Sequence, residues 1–337
     1  MILTFKVKHG KDFSQELILA KKIAQYAIEN RTISTADVKH FGLKSVISNQ
    51  IIRKYSRNKN IKAIHNIKLT ISGHFVRIID GRVYIPCLLF SVPIFFNKNF
   101  TKINQVEIGQ EYIYISVSYP DAPKIPEKNT IGVDRNSTHH GIVASCLETG
   151  KVLKLGKSCS HIHQKYNSMK KCLQKMGKLK KVKAITSRES RIVKDINHKI
   201  TKALVLFARG NDACLVLEDL KEIRKTAKTR KKQRYSFHSW SFYQQKAMIE
   251  YKAKKYGVSV HYVEPQYTSQ RCSHCGHIEQ ANRKGNLFCC KECGIVEDSG
   301  VNAGFNIAYM HKNGIPRFVI ESDMAKGSTD TPREATV

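Results

Sequence analysis

The feature that most constrains this 337-residue chain is the order of its segments after residue 130. Residues 130–134 form a short apolar run that ends on an acid, in Ile131-Gly132-Val133-Asp134. Residues 141–146 and 151–155 read as two more strands, joined by a turn at 148–150. A long helical stretch follows. Its clearest part, 187–209, puts Ile192, Ile196, Ile200, Leu204 and Phe207 on one stripe, with Gly210 as its stop. Residues 213–217 form a buried-type strand. A second helix is marked by Trp240, Tyr243, Ala247, Met248 and Tyr251, and is stopped at Gly257. Residues 258–263 are a fifth strand, and 301–311 a last helix. Three consecutive strands, then strands alternating with helices, predict an α/β layout on a mixed sheet.

That order matches a ribonuclease H-like arrangement, in which strands one and four are neighbours. Asp134 ends the first strand and Glu218 ends the fourth, in Leu215-Val216-Leu217-Glu218. Two carboxylates at matching strand ends then converge on one spot. Hard divalent cations take oxygen ligands, and Mg²⁺ is held by one or two carboxylates plus substrate phosphate. A pair of such ions activates water and stabilises the leaving oxygen in phosphodiester cleavage.

Charge points to the same class of substrate. The chain carries 58 Lys and Arg against 27 Asp and Glu, a net +31, which makes a polyanion the natural partner. Most of the excess lies between 131 and 260, where 30 basic residues face 9 acidic ones. Two stretches, 165–183 and 221–234, concentrate it. Lys170, Lys171, Lys180 and Lys181 in the first are the candidate phosphate contacts. Lys225, Arg230, Lys231, Lys232 and Arg234 are those of the second. Such contacts confer affinity and salt sensitivity but no sequence choice. No apolar run approaches the roughly 20 residues of a spanning helix, and the N-terminus lacks a secretory pattern. Membrane partners are not expected, and the ten cysteines are expected to be reduced.

Four of those cysteines form a pattern. Cys272-x₂-Cys275 and Cys290-x₂-Cys293 are each followed directly by glycine, Gly276 and Gly294. Four thiolates at this spacing suit a closed, structural Zn²⁺ site. Cys289 is the competing ligand, and the C-x₂-C spacing selects Cys290. Cys87, Cys146, Cys159, Cys172 and Cys214 read as small core residues.

The N-terminal third is different in kind. Residues 1–8 read as a strand and 13–58 as helices, with 34–55 resembling a helix pair turned at Gly42. Strands are expected at 67–71, 75–79, 83–89, 93–96 and 112–117, an antiparallel sheet or small barrel. Pro120, Pro123 and Pro126 mark a linker.

These residues together resemble the transposon-associated TnpB (OrfB) proteins, RNA-guided DNA endonucleases related to the type V CRISPR effectors. The resemblance rests on Gly132-Val133-Asp134-Arg135-Asn136, on Arg188-Glu189-Ser190-Arg191, and on Leu217-Glu218-Asp219-Leu220. It continues through Trp240-Ser241-Phe242-Tyr243-Gln244, Tyr267-Thr268-Ser269-Gln270 and Val301-Asn302-Ala303. It implies a wedge barrel over 1–125 with a helical recognition insert at about 13–58. It implies a RuvC-like nuclease domain whose first part is 126–266, a zinc ribbon inserted at 267–297, and a last RuvC helix at 298–320. Residues 321–337 would be a disordered tail. Expected cofactors are structural Zn²⁺ and catalytic Mg²⁺. Expected partners are a guide RNA from the transposon end and target double-stranded DNA. The implied setting is the cytoplasm of a prokaryote, on its nucleoid, as a mobile-element product.

The chain departs from the family at one position. The family's third acid is the Asp of an Asp-x-Asn-Ala run, and here that position is Gly300. Asp298, two residues earlier, is the nearest substitute. Three readings stay open: a Mg²⁺-dependent RNA-guided endonuclease, a nuclease-inactive RNA-guided DNA binder acting as a repressor, and a transposase working on DNA ends without RNA.

Overall fold

The computed structural model describes residues 1–314 except 33, 58–60, 62–63, 65, 136–139 and 221–241. The chain divides into two compact units, Met1–Asp121 and Ala122–Val337.

In the first unit, strand β1 (Ile2–Lys8) leads into helices α1 (Ser14–Asn30) and α2 (Ser45–Tyr55). A short 3₁₀ segment, Ala36–Phe41, takes the place of the first member of the expected helix pair. Strands β2 (Leu69–Ser72), β3 (Arg77–Ile79), β4 (Arg82–Ile85), β5 (Phe90–Pro93), β6 (Lys102–Ile108) and β7 (Tyr112–Ser118) follow. They form two antiparallel sheets, of order β1-β7-β6-β2 and β3-β4-β5. The strand expected at 83–89 ends at Ile85, because Pro86 offers no amide donor and opens a 3₁₀ turn. The one expected at 93–96 is displaced to Phe90–Pro93. Strand β6 was not visible in the sequence. A bulge between Ile103 and Gln105 shifts its register, so its apolar residues do not keep one period of two.

In the second unit, β8 (Asn129–Asp134), β9 (Ile142–Cys146) and β10 (Val152–Leu155) precede α3 (Ser158–Lys175) and α4 (Leu179–Gly210). The expected long helical stretch is thus two helices, separated at Gly177, whose φ of +68° ends the first. Strand β11 (Ala213–Glu218), helix α5 (Phe242–Tyr256) and strand β12 (Val260–Val263) come next. The small strands β13 (Arg283–Lys284), β14 (Leu287–Cys289) and β15 (Val296–Asp298) lead directly into helix α6 (Ser299–Asn313).

The main sheet has the order β10-β9-β8-β11-β12. Strands β9 and β10 run antiparallel to their neighbours, whereas β8, β11 and β12 are parallel. The mixed α/β sheet is the one the segment order predicts. Side-chain alternation divides its faces. Ile131, Val133, Ala213, Leu215 and Leu217 pack with Ile200, Leu204 and Ala208 of α4 and Ile249 and Ala253 of α5. The opposite face belongs to α6, where Ile307 meets Cys214 and Val216. Two glycines bring α6 exceptionally close. A Cβ on Gly132 would lie 2.0 Å from the Gly304 carbonyl oxygen, and one on Gly304 would lie 2.6 Å from Ser145 Oγ. The basic stretch 221–234 and the tail lie outside the described residues. Among the described residues no helix is long and apolar enough to cross a membrane.

Candidate functional site

Period-two alternation fixes where the acids point. Gly132 faces α6, so Asp134 does too; Cys214 and Val216 face α6, so Glu218 does too. The parallel register pairs Leu217 with Val133, which leaves Glu218 and Asp134 side by side at the carboxyl ends of adjacent strands. The first turn of α6 closes over them. A Cβ on Gly300 would lie 3.3 Å from Asp134 Oδ2 and 2.9 Å from Val143 Cγ2. Gly300 therefore stands directly against Asp134 and offers it no side chain.

Asp298 is turned to its own helix. Its Oδ1 caps α6, accepting from the amides of Gly300 at 3.0 Å and Val301 at 3.3 Å. Its Oδ2 pairs with Lys154 Nζ at 3.2 Å. Although Oδ1 also lies 3.3 Å from the Gly300 Cβ point, the carboxylate is committed to amides and an ammonium. Among the described residues, Asp134, Glu218 and Asp298 do not form a three-ligand cluster, whereas four cysteines do. Asp298→Ala should lower stability by about 1 kcal/mol through the lost cap. It should leave any cleavage unchanged; thermal melting and a cleavage assay read the two effects separately.

The remaining pair is electrostatically tense. Asp134 is pushed up to about 7, first by burial and then by the Glu218 charge, with a smaller push from Asp298, while Arg283 and Arg135 pull it down. Its folded pKa exceeds the ordinary 3.8, so the folded state keeps a proton that the unfolded chain has lost. Stability from this group is full below that ordinary value and declines as the pH rises through about 7. Without added Mg²⁺, Asp134→Asn should therefore melt at a higher temperature than the parent at pH 8 and show little difference at pH 4, measured by thermal shift.

Glu218 is held from a direction that sequence reasoning missed. Thr268 Oγ1 donates to Glu218 Oε1 at 2.6 Å. The Thr268 loop is clasped by α6: Asn306 Nδ2 donates to the carbonyls of Thr268 at 3.0 Å and Arg271 at 2.6 Å. Asn302 Nδ2 also donates to the Arg271 carbonyl at 2.8 Å, and Asn302 Oδ1 accepts from the Ser273 amide at 2.8 Å. Arg271 Nη1 donates back to Asn306 Oδ1 at 2.8 Å. Both asparagines are fully buried. Two buried Asn at i and i+4 on an otherwise apolar helix face were the available signal.

The cysteines meet as their spacing predicts. Cys272 Sγ lies 3.7 Å from Cys293 Sγ, and Cys275 Sγ lies 3.6 Å from Cys290 Sγ. All four lie within 4.8 Å of one another, and Cys289 is not among them. A tetrahedral zinc with Zn–S near 2.3 Å spaces its sulfurs by about 3.8 Å, so the residues fit the ion. The two halves are built alike. In each, the backbone carbonyl of the first cysteine accepts from the glycine amide, Gly276 at 3.0 Å and Gly294 at 3.1 Å. Each of those glycines has positive φ, +81° and +71°. Cys172, expected in the core, is exposed instead.

The candidate phosphate contacts divide. Lys171, Lys180 and Lys181 are exposed on α3 and α4. Lys170 turns inward: its Nζ lies 2.5 Å from Oε2 of buried Glu189, whose Oε1 meets His163 Nδ1 at 2.8 Å. That trio fastens α3 to α4, which corrects the expectation of a surface contact for Lys170. Lys225, Arg230, Lys231, Lys232 and Arg234 lie outside the described residues.

Comparison with known proteins gives a consistent result. The family model of the Cas12f1-like TNB domain matches residues 242–307. The TnpB-like protein MJ0751 of Methanocaldococcus jannaschii is 32% identical over 223 residues, covering 63% of this chain and 78% of that protein. The CRISPR-associated endodeoxyribonuclease Cas12f1 of Sulfoacidibacillus thermotolerans is 34% identical over 137 residues, 39% of this chain and 31% of that protein. A solved Cas12f1–sgRNA–target DNA complex superposes with a TM-score of 0.60 over 88% of this chain and 82% of that one. At 15% identity, that likeness is one of fold.

Proposed function

The chain belongs to the TnpB-like family, and from that membership we propose that it is an RNA-guided DNA-binding protein whose nuclease centre is deficient in cleavage. In this reading the sheet β10-β9-β8-β11-β12 with α4, α5 and α6 is the RuvC-type, RNase H-like nuclease domain. The segment 267–297 is its zinc ribbon, and the first unit is the wedge with its helical insert. Guide RNA and target double-stranded DNA are the partners, held by the basic surface that includes Lys171, Lys180 and Lys181.

The observation that carries the reading is the state of position 300. Asp134 and Glu218 would hold one divalent cation, Mg²⁺. A bound Mg²⁺ supplies a polarised water and charge neutralisation at a phosphodiester. A second cation lacks its ligand, because Gly300 has no carboxylate and Asp298 is spent on the helix cap and Lys154. Loss of one metal ligand leaves the basic surface untouched, so DNA occupancy survives where cutting does not. Acting by occupancy is what a repressor does.

The test is a guided binding and cleavage assay with cognate guide RNA and Mg²⁺. The expected result is a target-dependent DNA shift without cleavage. The affinity should fall with salt by a log–log slope of about −0.9 per neutralised phosphate. Gly300→Asp alone must displace Val143 Cγ2, which lies 2.9 Å from the new Cβ, so Gly300→Asp with Val143→Ala should regain more cleavage than Gly300→Asp alone. Efficient Mg²⁺-dependent cleavage by the parent, lost in Asp134→Ala, would overturn the deficiency. Specific binding to DNA ends that needs no RNA would favour the transposase reading instead.

A further inference from the structure

A second set of metal-type ligands converges on the α6 face of the same sheet, at the end remote from the carboxylates. Cys214 stands near the start of β11, His261 on β12 and His311 in the last turn of α6. Cys214 Sγ and one ring nitrogen from each histidine all lie within 4.8 Å of one another. The two imidazoles stack at 4.5 Å between centroids and 26° between planes, so one ring, the half-exposed His261, must turn out of the stack before both lone pairs meet at one ion. Glu127 Oε2 lies 3.1 Å from His261 Nε2, which leaves Nδ1 of that ring as its ligating atom. A carboxylate on the outer nitrogen of a histidine fixes the ring and raises its basicity, as around metal-bound histidines generally.

We propose that Cys214, His261 and His311 form a second metal site, for a zinc-type divalent ion, with Glu127 as the outer carboxylate of His261. One thiolate and two imidazoles are a donor set that zinc takes readily, with water in the fourth position. Ligand atoms around a tetrahedral zinc lie about 3.3–3.6 Å apart, so the three would settle to that spacing on binding. His261 is 37% exposed and free to make that adjustment, while buried Cys214 supplies the fixed point. The site would staple β11, β12 and the end of α6 together. It lies at the other end of the sheet from Asp134 and Glu218, and it stands whether or not the chain cuts DNA.

Zinc counting on the full chain tests it. Chelator-treated protein is reloaded with Zn²⁺, freed of excess, and measured by inductively coupled plasma mass spectrometry. Two zinc ions per chain are expected in the parent and one in Cys214→Ala, in His311→Ala and in Cys272→Ser. None is expected in Cys214→Ala combined with Cys272→Ser. Cys214→Ala removes only a sulfur, so circular dichroism should show an intact fold; His261→Gln, also expected to hold one zinc, serves as the second variant. Cobalt substitution reads the second site by colour, the Cys272→Ser protein keeping a weak one-thiolate charge-transfer band that disappears when Cys214→Ala is added to it. One zinc per chain in the parent, or an unchanged count in Cys214→Ala and His261→Gln, would overturn the proposal.

Discussion

Removing zinc from the four-cysteine ribbon, or substituting Cys290→Ser, is expected to unfold residues 267–298 while the main sheet stays folded. The ribbon has almost no core of its own: Cys272, Phe288 and Cys290 are its buried members, with Ile295 packed against them. Its three strands are two or three residues long and could not hold one another alone. A bound zinc would therefore supply most of the ordering energy, on the order of 10–16 kcal/mol in small zinc-finger peptides. The consequence reaches the acids. Once the loop at 267–273 loosens, Asn302 and Asn306 lose their carbonyl partners and Thr268 releases Glu218. Hydrogen exchange should show lost protection over 268–298 and the first turns of α6, with β8, β9 and β11 unchanged. Unaltered exchange in the ribbon after metal removal would refute the dependence.

Gly132→Ala is expected to be strongly destabilising. The added Cβ would sit 2.0 Å from the Gly304 carbonyl oxygen and 2.5 Å from the Ala308 amide nitrogen. Both are backbone atoms in the middle of α6, so no side chain can swing aside. The helix must lift from β8 as a body, giving up the contact of Ile307 with Cys214 and Val216. Overpacking a close-packed core costs about 1–3 kcal/mol when side chains can yield, and more is expected against backbone. Chemical denaturation of Gly132→Ala should show a midpoint shift equivalent to about 3 kcal/mol or more. Gly150→Ala, where open space surrounds a turn glycine, is the control for backbone strain alone, because its φ is +68°.

The same close approach explains why residue 300 is harder to restore than its sequence suggests. From the sequence, Gly300 is simply a missing carboxylate. In the structure it is also part of a glycine-lined seam, with Gly304 against Ser145 and Gly132, that sets α6 down on the sheet. Val143 has settled into the space a side chain at 300 would use. The expected rescue by Gly300→Asp thus acquires a steric condition that no motif states.

Apart from the acid-free position 300, which only the family resemblance marks, the sequence by itself determined the order of the second unit, the strand ends bearing Asp134 and Glu218, and the four clustered cysteines. Each of these is a local signal: a period, a turn glycine or a fixed spacing on one continuous stretch. What only the tertiary structure decided are the contacts between stretches far apart in the chain. Asp298 could have turned to the acids or to its own helix, and the open amides of Gly300 and Val301 together with Lys154 decided for the helix. Lys170 looked like its exposed neighbours until Glu189, a helix away, drew it inward. Cys214 was an ordinary small residue in a buried strand until β12 and α6 brought His261 and His311 to it. Pairing across the fold depends on geometry that composition and periodicity do not encode, and that is where these three residues acquired their environments.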